Sequence, residues 1–67
     1  MPQITLNGRP HPISAPLPLL TLLADLGIDR RLIAVAHNGE VIPRDRYETV
    51  SLAEGDEVEV VRMVGGG

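Results

Sequence analysis

A two-layer α+β domain, with one helix packed on one face of a mixed sheet of four or five strands, is what three features of this 67-residue chain predict. Apolar and polar residues alternate from Gln3 to Leu6 and again from Glu57 to Val60, the period of half-buried strands. Between Pro18 and Leu26 the period changes, and Leu19, Leu22, Leu23 and Leu26 fall at i, i+3, i+4 and i+7, one stripe of an amphipathic helix. Two Asn-Gly pairs, Asn7-Gly8 and Asn38-Gly39, mark hairpins, because a type I′ turn needs positive φ at both central residues.

Taken in order, Ile4 and Leu6 form the buried face of a first strand, which turns at Asn7-Gly8. The return segment, Arg9 to Ser14, holds Pro10 and Pro12. A proline cannot donate to a ladder, so this segment belongs at an edge, with both prolines on the same side of it. In the helix, Pro18 suits the first turn and Gly27 suits the left-handed position after the last. Leu17 and Leu20 lie beyond the stripe and are read as further core packing. A strand from Leu32 to His37 follows, then the second turn, then Glu40 to Ile42, stopped by Pro43. Arg44 to Glu48 is a polar connection anchored by Tyr47, whose hydroxyl is expected near water. Glu54, Gly55 and Asp56 turn the chain into the last strand. There Val58 and Val60 face the core while Glu57 and Glu59 face out. Placing this strand beside the first, in parallel, would make it central, an order that periodicity leaves open.

At this length the chain is one domain, 1–67. A chain of about 60 residues buries only roughly 60% of its unfolded surface, which disfavours a deep substrate cavity and a self-contained enzyme. There is no cysteine, so any sulfur handled must come from a partner. The net charge is −3, all six basic residues are arginine and Tyr47 is the one aromatic residue. Nucleic acid finds neither a basic patch nor a stacking platform here. The uncharged run Pro12 to Ala24 is too short to span a bilayer and is interrupted by Pro16 and Pro18, so the expectation is a cytoplasmic protein without a membrane partner. His11 and His37 lie on separate strands without cysteine or carboxylate at ligand spacing and are read as surface histidines, with no metal site. Ser14 and Ser51 lack the glycine-flanked turn of a hydrolase nucleophile, and no catalytic residue is assigned.

The last strand runs into Val64, Gly65, Gly66 and Gly67. Glycine has no Cβ, so such a tail, at about 64–67, can enter a channel too narrow for side chains and present a carboxylate there. A frayed terminus is the plain alternative. Val61 and Met63 place apolar side chains on the open face just before the tail, a candidate partner surface. Glu57 and Glu59 are either a solvated face or a patch that steers the chain to a basic groove.

Three groups of residues together resemble the ThiS family of small sulfur carriers of thiamine biosynthesis. They are Ile4-Thr5-Leu6-Asn7-Gly8, then Ala34 to Arg44 with Tyr47 behind it, and Glu54-Gly55-Asp56 leading through Val58 and Val60 to the glycines. The resemblance covers the chain end to end and implies a ubiquitin-like β-grasp fold. It also implies that Gly67 is adenylated by a ThiF-like enzyme and converted to a thiocarboxylate with sulfur from a donor protein. A ThiG-like thiazole synthase then consumes that sulfur. No cofactor is bound on this view: ATP and sulfur come with the partners, and the chain is a co-substrate rather than an enzyme. Three glycines rather than two, and Pro18 at the helix start, depart from the family pattern. A molybdopterin-synthase small subunit, a ubiquitin-like modifier of lysines and a non-covalent β-grasp module stay open as alternatives. Lysine-linked chains of this protein are excluded, since it has no lysine.

Overall fold

The computed structural model describes residues 2–63. Its elements are β1 (Gln3–Leu6), β2 (Arg9–Pro12), β3 (Leu17–Pro18), α1 (Leu19–Asp25), β4 (Ile33–His37), β5 (Glu40–Val41), β6 (Ser51–Leu52) and β7 (Glu57–Arg62). Short 3-10 turns at Arg30–Leu32 and Arg44–Thr49 connect them. The main sheet has the order β2-β1-β7-β4-β5. β7 is its centre, parallel to β1 through Thr5↔Glu57 and Leu6↔Val58, and antiparallel to β4 from Ile33↔Arg62 to His37↔Val58. The central place of the last strand settles an order that periodicity left open, and proline-bearing β2 lies at the edge as expected.

A second, two-stranded sheet joins β3 to β6, with Leu17 opposite Leu52 and Pro18 opposite Ser51. It changes how the helix begins. Pro18 takes the extended N-cap position, with φ −61 and ψ 138, rather than the first turn. No side chain caps α1; instead the Leu19 N–H donates to the carbonyl of Val50, 3.0 Å away. Tertiary pairing therefore satisfies a donor that every helix start leaves open. At the other end Gly27 donates to Ala24 and Ile28 to Leu23, each at 3.0 Å, with Gly27 at φ +69. This is the Schellman closure that the glycine predicts. Leu26 is the C-cap and stands 37% exposed, so the buried stripe stops at Leu23.

Leu19, Leu22 and Leu23 pack on Ile4, Ile33, Val35 and Val58 of the sheet, and Leu52 and Tyr47 complete the core. Leu6, Leu17, Leu20 and Val60 pack around it half-buried. Tyr47 is 2% exposed, packed as an anchor, and no described side-chain polar atom is buried without a partner, so its hydroxyl keeps the contact with water expected of it. Arg44 donates to the carbonyl of Arg31 at 3.2 Å, tying the turn that carries Tyr47 to the start of β4.

The two Asn-Gly turns do more than reverse the chain. Asn7 and Asn38 both have positive φ, 51° and 52°. The Oδ1 of Asn7 accepts the N–H of Val60, and the Oδ1 of Asn38 accepts the N–H of Glu57, each at 2.8 Å. Their own N–H groups donate to the carbonyls of Val58 and Glu57 on the same strand, at 2.9 and 2.7 Å. One asparagine grips β7 from each side. Asparagine tolerates the left-handed region and brings a side-chain acceptor, which glycine cannot.

Two stability outcomes follow from these packing relations. Leu52→Ala, in the small sheet, is expected to lower unfolding free energy by about 2–5 kcal/mol, measured by urea denaturation. Gly27→Ala meets no atom within 4 Å of the added Cβ. Its cost is backbone strain alone, about 1–2 kcal/mol in the same assay.

Candidate functional site

β7 carries the core on one face and an open surface on the other. Successive side chains on a strand alternate between faces. Val58 and Val60 point to α1, while Glu57, Glu59, Val61 and, beyond the strand, Met63 share the open face. The register extends that face sideways, because Ala34 lies opposite Val61, Ala36 opposite Glu59, and Val41 opposite Ala36. Met63 donates to the carbonyl of Leu32 at 2.8 Å, which brings Leu32 onto the same face.

Four large apolar side chains are exposed there: Leu32 at 55%, Val41 at 70%, Val61 at 57% and Met63 at 52%. Ala34 and Ala36, half-buried, form a low floor between them. An exposed apolar cluster of this kind is a candidate interaction surface. Strand alternation alone puts Val61 and Met63 on this face; Leu32 and Val41 join it through the register of β4 with β7 and β5. The signal that finds them is the two-residue hairpin loop Asn38-Gly39. It sets Val41 opposite Ala36 and so onto the open side.

Charge is divided along the same axis. Glu57 and Glu59 occupy the first half of β7, with Glu40, Glu54 and Asp56 around its start. Met63 is six residues on from Glu57, about 20 Å at strand rise. The end nearer the tail is set among arginines: Arg62 closes β7, and Arg30, Arg31 and Arg44 flank the start of β4, opposite it. The acidic residues are therefore near the tail in sequence but at the far end of the strand in space. Val64, Gly65, Gly66 and Gly67 lie outside the described residues.

The start of β7 is fixed by a polar knot. Asp56 accepts the Ala53 N–H at 2.9 Å, lies 2.7 Å from His37 Nε2, and accepts from Asn38 Nδ2 at 3.3 Å. The Ala53 amide above all, then His37 and Asn38, hold its carboxyl below the ordinary 3.8. His37 thus links β4 to the turn before β7. His11 lines an open groove between β2 and α1 with Ser14, Thr21 and Asp25. Among the described residues no hydrogen bond joins Ser14 to a histidine, and no cluster of three or more metal-ligating side chains occurs. At the tail end, Asp29 pairs with Arg31 at 2.9 Å, and that hydrogen-bonded guanidinium draws the exposed carboxyl down to about 2. No described helix is long and apolar enough to cross a membrane.

A helix clasped by a mixed sheet, with β7 central and leading to a glycine tail, defines a ubiquitin-like β-grasp domain. The thiamine biosynthesis protein (ThiS) of Geobacter metallireducens has this structure, with a TM-score of 0.84 and 31% identity over 97% of this chain and 99% of that one. The sulfur carrier protein ThiS of Bacillus subtilis is 39% identical over 46 residues, 69% of this chain and 70% of that protein. The thiazole synthase of Paramagnetospirillum magneticum is 37% identical over 65 residues, 97% of this chain, which spans only 20% of that enzyme's length. The model of the ThiS family matches residues 4–67. The chain belongs to the ThiS family.

The Asp56 knot has a pH signature. A carboxyl whose pKa is lower folded than unfolded contributes stability that is complete above its unfolded value and is lost as pH falls through the folded one. Asp56→Asn is therefore expected to cost about 1 kcal/mol at pH 7. It should also flatten the loss of stability below about pH 4. Urea midpoints collected between pH 2 and pH 7 test both.

Proposed function

We propose that this chain is a covalent sulfur carrier for thiamine thiazole formation. The observation that carries the reading is the span of the family match, which runs to Gly67 and so includes the glycine tail. In this reading the Gly67 carboxylate attacks the α-phosphate of ATP on a ThiF-like enzyme, releasing pyrophosphate. A carboxylate is a poor electrophile because charge and resonance oppose attack, and the acyl-adenylate removes both obstacles. Sulfur delivered by a donor protein at the sulfide level then attacks the acyl carbon, AMP leaves, and a thiocarboxylate remains. The chain supplies the acyl group and the handle, and the enzymes supply ATP, sulfur and the groups that stabilise developing charge. It acts as a co-substrate, not an enzyme, in the cytoplasm, with Gly65, Gly66 and Val64 inside the partner's channel.

A thiazole synthase as the consumer is supported by the Paramagnetospirillum enzyme, a stretch of which resembles nearly the whole of this chain. The open face supplies the docking contact, with Val61 and Met63 nearest the tail and Leu32 and Val41 beside them. Glu57 and Glu59, farther back, orient the encounter by charge, an effect that salt weakens.

Intact mass after expression with the activating enzyme and a sulfur source tests the chemistry. The expected result is a shift equal to one oxygen replaced by sulfur, absent when Gly67 is deleted. A ladder of lysine conjugates without that shift would instead make the protein a modifier. For the docking face, Val61→Asp is expected to weaken thiazole synthase binding by about tenfold or more, since central anchors are worth over 1 kcal/mol. Thr21→Glu, on the exposed side of α1, should leave binding unchanged.

A further inference from the structure

Backbone pairing along β7 is uneven in a way that the carrier reading does not require. Val58 and Val60 turn their backbone groups toward β1, since Asn7 donates to the Val58 carbonyl and accepts from the Val60 N–H. Glu57 and Met63 turn theirs toward β4, to Asn38 and Leu32. By the same alternation Arg62 faces the β1 side. β1 serves that side rung by rung. Thr5 stands opposite Glu57 and donates to the Asp56 carbonyl at 2.9 Å. Asn7 stands opposite Glu59 and uses its side chain where a continuing strand would use its carbonyl. The chain then leaves at Gly8. On the next rung, opposite Val61, the Val60 carbonyl and the Arg62 N–H have no hydrogen-bond partner among the described residues.

The other sheet edges are protected. On β2, Ile13 donates inward to the Pro2 carbonyl, which sets the phase of the strand and turns the nitrogens of Pro10 and Pro12 outward. That edge offers no N–H at either position. β5 is two residues long and ends before Pro43. The edge left open is the one that runs directly toward the tail.

We infer that the thiazole synthase receiving the tail adds an extended segment to β7 on this side, parallel to it and in line with β1. Carrier binding thereby becomes strand addition. In a parallel ladder one residue donates to the carbonyl before its opposite number and accepts from the N–H after it. A single partner residue opposite Val61 therefore uses both groups. Its side chain falls on the open face, next to Val61 and Met63, so an apolar residue fits there. Arg62, exposed on the other face, favours an acidic neighbour. Main-chain pairing of this kind gives affinity that tolerates sequence change in the partner. It also aligns the segment leading to Gly67 before the tail enters the enzyme. The inference rests on the carrier reading for the identity of the partner, and on the hydrogen bonds of β7 for the site.

The test is to titrate thiazole synthase with the unaltered chain, Arg62→Pro and Arg62→Ala, and to measure exchange of the Arg62 amide by NMR, free and bound. Arg62→Pro removes an N–H that has no partner among the described residues and is expected to weaken binding at least tenfold. Arg62→Ala keeps the N–H and should change binding less than threefold. In the complex, exchange at Arg62 should slow at least tenfold. Equal binding by the two variants overturns the strand addition. So does unchanged exchange at Arg62 in a complex that forms, a readout that stands even if Arg62→Pro folds poorly. Failure of the unaltered chain to bind thiazole synthase at all would instead overturn the partner assignment, and the strand addition with it.

Discussion

Two-sided hydrogen bonding of β7 is the constraint on which the rest of the molecule depends. A strand close to the end of a chain frays unless it is tied down. Here it lies between β1 and β4 and is gripped by Asn38 at Glu57 and by Asn7 at Val60. Val58, 1% exposed, is buried against α1 from the same strand. A core this small has little surplus stability, so placing the strand that leads to the tail at the centre is the economical way to make it rigid.

The two faces of that strand divide the work. The inner face holds Val58 and Val60 against the helix and gives the domain its stability. The outer face gathers Leu32, Val41, Val61 and Met63 into an apolar surface with acidic residues at the end remote from the tail. In the carrier reading this separation matters because the same domain must be handed between enzymes. On that reading, recognition falls to the rigid outer face. The alternation of a β-strand puts stability and recognition on opposite faces of the same six residues.

The asparagines show how a turn signal and a tertiary contact can coincide. Asn-Gly is readable as a hairpin because of backbone angles alone. Which atoms the asparagine side chain meets is set by the strand that arrives later in the chain, at Glu57 and Val60. Asp56 is a similar case. Read from sequence it is a turn residue, and in the fold it joins the Ala53 amide, His37 and Asn38. These contacts cross 18 or more residues for His37 and Asn38, and local pattern carries no record of them.

The strands with a period, the helix stripe from Leu19 to Leu23, the glycine stop at Gly27 and the edge position of the prolines were all legible, because each expresses a local rule of backbone geometry or amphipathic spacing. The ThiS-like residues and the glycine tail were legible too, as a motif. The two-residue strands β3 and β6 were not, since two residues have no period, and their pairing displaced Pro18 from the first turn to the cap. Nor was the full open-face surface: Leu32 and Val41 are ordinary apolar residues until β4, β5 and β7 are placed side by side. The sequence by itself determined the helix stripe, the strands long enough to show a period and where the chain turns. Only the tertiary structure decided which face is left open, how charge is divided along β7 and which of its backbone groups lack a partner among the described residues, because those depend on register between segments far apart in the chain.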